Sequence, residues 1–225
     1  MIIAVGNLKG GVGTSTLAIE IAAAHRRAGR SVVLVDTTLS LTTERWCKRR
    51  EALGLEPRSP VVAERTLIES TLDCLAYYDT AVVDVASHQA ELEVIQTFAD
   101  VWIAPCMASR MDLDATLQLY ANLRQTDSRC SEGHAIFGVV LTQTPATGSL
   151  RQERARKYLR ERAPGMLIFK QDLPTRRAWR EGDDGRSLFD LLRHHAGKAL
   201  DEFTAILAEI DAATRDVIVA RRSVV

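Results

Sequence analysis

The sequence predicts an α/β fold, a doubly wound, mostly parallel sheet with helices on both faces. Three observations carry that reading. Short apolar runs recur along the chain, at positions 2–6, 31–36, 78–84, 100–105 and 135–142. Longer stretches with apolar residues at helical spacing alternate with them, as at 14–28 and 111–126. Two of the runs end in a carboxylate, Asp36 and Asp84, and the first of them is continuously apolar from Val32 to Val35. Such strands suit the middle of a parallel sheet covered on both faces. Their carboxyl ends are where open α/β sheets bind ligands.

The elements follow in order. The first strand, 2–6, leads through a glycine-rich turn into a helix at 14–28, which ends near Gly29, a normal C-cap signal. After strand 31–36 comes a charged helix at 44–53 carrying Trp46. Pro57 and Pro60 bracket a loop, and 61–63 reads as a short strand. A helix at 64–77 places Leu67, Ile68, Thr71, Leu72 and Leu75 on one face. Strand 78–84, helix 89–98, strand 100–105 and helix 111–126 continue the alternation. Strand 135–142, an arginine-crowded helix at 149–162 and a short strand at 166–170 come next. The last helix, 198–210, has Leu200, Phe203, Leu207 and Ile210 on one face, and a frayed tail is expected after Arg215. No repeat, linker or low-complexity tract interrupts the chain. The expectation is one domain over 1–212, with right-handed crossovers, and a C-terminal tail over 213–225.

Composition bounds the partners. Lys and Arg number 29, Asp and Glu also 29, so no global field drives the chain onto nucleic acid, and any such binding needs a local patch. The four cysteines, Cys47, Cys74, Cys106 and Cys130, include no CxxC pair and read as reduced thiols rather than a disulfide framework or a zinc site. No signal-peptide charge pattern precedes the first strand, and no apolar run approaches ~18 residues, so the chain is expected to be cytoplasmic with no membrane span.

The chemistry centres on Lys9, Gly10, Gly11, Val12, Gly13, Thr14, Ser15 and Thr16. Strand, glycine-rich turn, helix is the layout of a phosphate-binding loop, with glycines that let backbone N–H groups turn inward and a helix N-terminus that adds its own. Ser15 stands where the hydroxyl of such a loop holds Mg²⁺. The generic pattern G-x-x-x-x-G-K-[ST] asks for lysine where this chain has Thr14, and for glycine where it has Leu8. A glycine-rich turn that binds nothing has the same outline.

Lys9 to Thr16 resembles the deviant Walker A loop, KGGxGK[ST], of the ParA/MinD family of P-loop ATPases, in which a signature lysine stands early in the loop and the first glycine is often absent. Lys9 matches that lysine, and Thr14 departs from the family's second one. Asp36 matches the first aspartate of the family's D-x-D-P-Q, where Thr38 replaces the second and Leu39-Ser40 replace Pro-Gln. Tyr78 to Asp84 resembles the Walker B segment, whose final aspartate is associated with Mg²⁺. A strand-ending aspartate that caps the next turn is the other reading of Asp84. Val85-Ala86-Ser87 departs from the family's switch II sequence. Ala99-Asp100 to Pro105, then Ser109 to Leu113, are similar to the family's A-D-x-x-I-x-P and S-P-x-D-L; in relatives the following helix helps form a dimer face. Thr142 to Pro145 falls where relatives contact the adenine base. Arg177 to Gly182 and Gly185 to Phe189 resemble the end of small ParA-like plasmid partition proteins.

The resemblance covers Met1 to about Ile210 and implies a P-loop NTPase-like fold. It also implies ATP or ADP with Mg²⁺ as ligands, a nucleotide-dependent homodimer, non-specific DNA binding and a ParB-like adaptor that stimulates hydrolysis. By resemblance, Lys9 acts across the dimer on phosphate, Gly10 to Gly13 cradle phosphate within the nucleotide-binding stretch Lys9 to Thr16, Ser15 and Asp84 manage Mg²⁺, and Asp36 supports the switch. All four of Lys9, Ser15, Asp36 and Asp84 are expected to converge on one hollow. Thr14 and Thr38 imply that hydrolysis is weak or lost, leaving a non-hydrolysing DNA- or protein-binding module as the alternative. A small-molecule kinase or dethiobiotin-synthetase-like ligase shares the fold but lacks the partition-type tail.

Between 151 and 180 lie ten basic residues against Glu153, Glu161 and Asp172. Arg151, Arg154, Arg176 and Arg177 are the candidate DNA contacts, of the phosphate-contacting kind that gives affinity without base readout. Bound to DNA, the protein would associate with the nucleoid. A solvated helix face, balanced by acids elsewhere, is the other reading.

Overall fold

The apolar runs form one eight-stranded sheet in the order β3-β2-β4-β1-β5-β6-β7, with β8 also pairing β6 and every pair parallel. The structure is a computed structural model and describes residues 1–56, 61–62, 77–87, 92, 94–95, 97–126 and 135–222. The strands are β1 (Ile2–Val5), β2 (Val32–Asp36), β3 (Val61–Val62), β4 (Thr80–Asp84), β5 (Val101–Met107), β6 (Ile136–Thr144), β7 (Leu167–Ile168) and β8 (Leu173–Pro174). The helices are α1 (Thr14–Arg27), α2 (Thr42–Ala52), α3 (Arg110–Thr126), α4 (Leu150–Arg162), α5 (Ala178–Glu181) and α6 (Arg193–Arg222).

Every residue of β2 and β4 is buried, as continuous apolar strands require. One face of the sheet packs Trp102, Phe137 and Val139 against Leu119 and Leu123 of α3 and Leu159 of α4. The other packs Ile3, Leu34 and Ile103 against Leu17 and Ile21 of α1, Trp46 of α2, and Phe203, Ile206 and Ile210 of α6. Gly138 lets the second face close: a Cβ there would sit 2.7 Å from the Phe169 ring. β1 lies between β4 and β5, so the chain reverses its direction of travel across the sheet beside β1. Ligands bind at such a switch point, outside the carboxyl ends of the strands.

A clasp ties residues 182–191 to α1 and α2. Trp46 Nε1 donates to the carbonyls of Gly182 (2.9 Å) and Arg186 (3.2 Å). The Leu188 N–H donates to both oxygens of the buried Glu20 carboxyl, at 3.0 and 3.2 Å. Burial pushes that carboxyl up to about 8, against the pull of the Leu188 N–H. Arg50, 2% exposed, pairs with Asp190 and donates to the carbonyls of Gly185 (3.2 Å) and Glu56 (2.8 Å). Gly185 is required here: its φ is +102°, and a Cβ would lie 2.6 Å from the Arg50 nitrogen.

The boundaries differ from expectation mainly near the C-terminus. The last helix is not 198–210 but runs from Arg193 to Arg222, and Ala213 and Thr214 are buried, so the expected tail begins inside a helix. Beyond Ile210 the buried face continues through Ala213 and Thr214, small and polar residues that an apolar period does not register. β8 was not foreseen, because two residues carry no period. The expected helices at 64–77 and 89–98, the loop at Pro57 and Pro60, and Cys74 and Cys130 fall wholly or largely outside the described residues. Among the described residues Cys47 and Cys106 are free thiols, and no helix is long and apolar enough to cross a membrane.

Candidate functional site

β1 delivers the loop to the switch point. The Gly6 N–H bonds to the Ile103 carbonyl at 3.0 Å, and the Trp102 indole N–H donates to the Gly6 carbonyl at 3.0 Å. Asn7, buried, donates from Nδ2 to the Pro105 carbonyl (2.8 Å) and Thr116 Oγ1 (2.9 Å), anchoring the loop to β5 and α3. Gly11 and Gly13 hold φ of +78° and +98°, which explains glycine at both. Gly13 is the N-cap of α1 and offers no side-chain cap, so the first-turn N–H groups of the helix stay open to a ligand. A Cβ built on Gly10, Gly11 or Gly13 meets nothing within 4 Å, so the amides border open space.

That space is a cavity of about 570 Å³ lined by the whole of the loop apart from Leu8 and Val12. Lys9, Gly10, Gly11, Gly13, Thr14, Ser15 and Thr16 face it from below, Thr38, Leu39 and Ser40 from the β2 side, and Asp84 to Ser87 from β4. Lys9 is the one cation among its lining residues. Val12 is 0% exposed and packs under the loop.

Asp84 is fully buried, and neither carboxylate oxygen has a hydrogen-bond partner among the described residues. Burial pushes this carboxyl up to about 7, the neighbouring Ser15 hydroxyl draws it part of the way back, and the Asp36 charge pushes it further up. An orphaned buried carboxylate beside a serine hydroxyl fits a hydrated Mg²⁺, which keeps several waters and takes one or two carboxylates with substrate phosphates. Protein, water and phosphate oxygens are its preferred ligands.

Asp36 stands apart. It is the register partner of Asp84 on the next strand, yet it does not line the cavity. Its Oδ1 accepts from the Thr38 N–H (2.9 Å) and hydroxyl (2.6 Å). Its Oδ2 accepts from the N–H groups of Thr43 (2.9 Å) and Glu44 (3.2 Å), capping α2. Lys9, Ser15 and Asp84 therefore share one hollow, while Asp36 braces the wall behind Thr38. Nothing in the spacing of a strand-ending aspartate signals this capping role. Thr37 links the two strand ends, bonding through N–H and hydroxyl to the Asp84 carbonyl (3.1 Å each) while its hydroxyl accepts from the Ala86 N–H (2.9 Å).

A second cavity of about 300 Å³ adjoins the first across Gly13, Thr16 and Gln143. Val12 and Leu17 from the loop and α1, Thr142 from β6, and residues of the segment from Leu173 to Arg180, Trp179 among them, form the rest of its walls. The sequence pointed to 142–145 but gave no sign that Trp179 would form a wall.

The basic residues spread out. Arg151 and Arg154 are exposed on α4, and Arg151 Nε donates to the Ala108 carbonyl at 2.6 Å. Arg176 pairs with Glu202, and Arg177, 90% exposed at its side chain, pairs with Glu181 at 2.9 Å. Arg156 is spent on Asp172, and Arg162 stacks on Tyr158 with its guanidinium 3.7 Å from the ring centroid. The four candidates thus sit on two regions, α4 and the segment leading into α5.

The family described as CbiA, the CobQ/CobB/MinD/ParA nucleotide binding domain, matches residues 3–185. The chain belongs to this family. A comparison with curated proteins found no match. Among solved structures, the chain is similar to an ATP complex of McdA from Cyanothece (TM-score 0.66, 16% identity, 91% of this chain and 95% of that one). It is similar also to a plasmid partition protein from Borrelia burgdorferi bound to AMPPNP (TM-score 0.63, 19% identity, 92% and 98%). The septum site-determining protein MinD of Pyrococcus horikoshii with Mg-ADP gives a TM-score of 0.67 at 18% identity, over 93% and 95%. At these identities the likeness is one of fold. Within that fold, the CbiA-family loop of this chain opens onto a cavity at the switch point.

Proposed function

We propose that this CbiA-family chain is a ParA-like DNA partition or cargo-positioning protein that binds ATP and ADP with Mg²⁺, dimerises on nucleotide and binds DNA without sequence preference. The observation that carries the reading is the orphaned carboxylate of Asp84, facing the same cavity as Lys9, Ser15 and the loop glycines Gly10, Gly11 and Gly13. The loop amides and the α1 N-terminus receive the β- and γ-phosphates, and Thr16 lies where the ligand passes toward the second cavity. That cavity takes the base against Trp179. Ser15 and Asp84 hold Mg²⁺, which supplies charge neutralisation of the phosphates. Lys9 reaches the nucleotide of the partner copy, and Asp36 fixes Thr38 and the start of α2. Residues 1–212 act as one domain. The relatives of known structure support nucleotide with Mg²⁺ as the ligand class. A ParB-like adaptor and a nucleoid-associated cytoplasmic location follow from the same reading.

Two hydroxyls favour a second reading. Thr14 and Thr38 line the phosphate cavity in place of an ammonium and a carboxylate. Without them the charge of a transferring phosphoryl group is poorly stabilised and a water is poorly placed. On this reading the chain is a non-hydrolysing DNA- or protein-binding module.

Phosphate release measured beside thermal melting separates the two. A ligand at a hundred times its dissociation constant stabilises by about 2.7 kcal/mol. A melting shift with turnover supports the partition ATPase, and a shift without turnover the non-hydrolysing module. Random duplex DNA, titrated at low and moderate salt, is expected to bind with a steep salt slope that Arg151, Arg154, Arg176 and Arg177 changed to Glu removes. Unaltered affinity in that variant rejects the four arginines as the DNA surface.

A further inference from the structure

β6 ends beside the glycine loop, and two consecutive side chains at its end reach two consecutive carbonyls of that loop. The Thr142 hydroxyl donates to the Val12 carbonyl at 2.8 Å, and Gln143 Nε2 donates to the Gly11 carbonyl at 2.6 Å. Gln143 does so from a φ of +52°, a left-handed conformation that it shares with Leu41 alone among the described non-glycine residues. A side chain with a Cβ is strained there, and strain persists only where the surroundings over-determine it.

In a trans peptide unit the C=O and the following N–H lie in one plane and point in opposite directions. A bond that turns the Gly11 carbonyl toward β6 therefore turns the Val12 N–H away from it. The bond on the Val12 carbonyl does the same for the Gly13 N–H. Neither N–H donates to another described residue. The glycines on either side of Val12 have no Cβ and open space around them, so nothing in their own sterics holds these planes. With Lys9 as the one cation lining the cavity, affinity depends on amides that are aimed before the ligand arrives.

We propose that Thr142 and Gln143 are positioning residues that fix the two peptide planes on either side of Val12 so that the Gly13 amide, which lines the cavity, faces phosphate, with Gln143 held in backbone strain by this task. Both residues also line the second cavity, but the Thr142 proton and the Gln143 amide are committed to the loop. The proposal rests on the nucleotide reading of the site.

The test titrates the folded protein with Mg²⁺-pyrophosphate and with Mg²⁺-ADP, using Gln143→Gly, Thr142→Val and Thr142→Ser. Gln143→Gly removes the tether and relieves the strain, so the empty protein is expected to melt at the same temperature or higher. It is expected to bind both probes roughly fivefold more weakly, the worth of one hydrogen bond. Thr142→Val loses affinity for both probes in the same way, and Thr142→Ser restores it. Pyrophosphate carries no base, so equal losses for the two probes locate the effect at the loop. A loss for ADP alone overturns the proposal in favour of a base contact. Unchanged affinity, or a lowered melting temperature in Gln143→Gly, overturns it as well. A wild type that binds neither probe overturns the nucleotide reading itself, and the proposal with it.

Discussion

Thr14→Lys is expected to tighten Mg²⁺-ATP binding about ten- to a hundredfold. A charge-assisted hydrogen bond is worth about 1.5–3 kcal/mol, and 1.4 kcal/mol is tenfold in affinity. The position is the first residue of α1 and lines the glycine-loop cavity, where Lys9 is the one cation among the lining side chains. A cation in the first turn of a helix opposes the helix dipole by roughly 0.3–1 kcal/mol. The empty Thr14→Lys protein should therefore melt slightly lower than wild type, and the nucleotide-loaded one higher. Opposite signs in the two states separate a phosphate contact from a general effect on stability. Thr14→Ala should leave affinity within about tenfold, since a neutral hydroxyl bond is worth about 0.5–1.5 kcal/mol at most. Turnover is a separate matter, and adding Thr38→Asp to Thr14→Lys is the combination expected to raise it. Melting curves and phosphate release on the same preparations check all three.

Arg50→Ala is expected to destabilise the fold by about 3–5 kcal/mol, the cost of leaving one partner of a buried ion pair alone. The Arg50 guanidinium pairs with Asp190, donates to two carbonyls and lies 5.3 Å from the Trp46 ring centroid. Its loss leaves Asp190 with Arg27 as its one cationic partner among the described residues, and leaves Glu20 without the nearby positive charge. The Tm should fall by roughly 10 °C, at 2–4 °C per kcal/mol for a chain of this size. If the unpaired charge causes the loss, Arg50→Met with Asp190→Asn should recover most of it, because Asn keeps an acceptor for the Ser187 N–H. A double variant as unstable as the single one would place the loss in packing instead. Denaturant unfolding of the three proteins decides between them.

The fold was legible because its signals are local and repeated. A continuous run such as residues 32–35 ending in Asp36 admits few placements other than a central parallel strand. The glycines at 11 and 13 announced a turn that only positive φ explains, and the structure gives both. The candidate site was legible as a juxtaposition of loop and strand end: Lys9 and Ser15 from the glycine loop and Asp84 from the end of β4 share a cavity. It was illegible where function follows from what a side chain bonds across the fold. Asp36 has the sequence signature of a cavity carboxylate and serves as the cap of α2. Arg176 has the signature of a free cation and is paired by Glu202, a partner distant in sequence that no window reveals. Gln143, Trp179 and the clasp at 182–191 depend on such long-range contacts too. The C-terminal helix ran past its expected end because its buried face continues through Ala213 and Thr214, which no large apolar residue marks in the sequence.

The most direct test of the site is a calorimetric titration of wild type and Asp84→Asn with ADP, each with and without Mg²⁺. The orphaned Asp84 carboxylate predicts saturable one-to-one binding by wild type that tightens with Mg²⁺, and binding by Asp84→Asn that no longer responds to the metal. Folded wild type that shows no saturable binding, or an Asp84→Asn protein with the full Mg²⁺ effect, would contradict it.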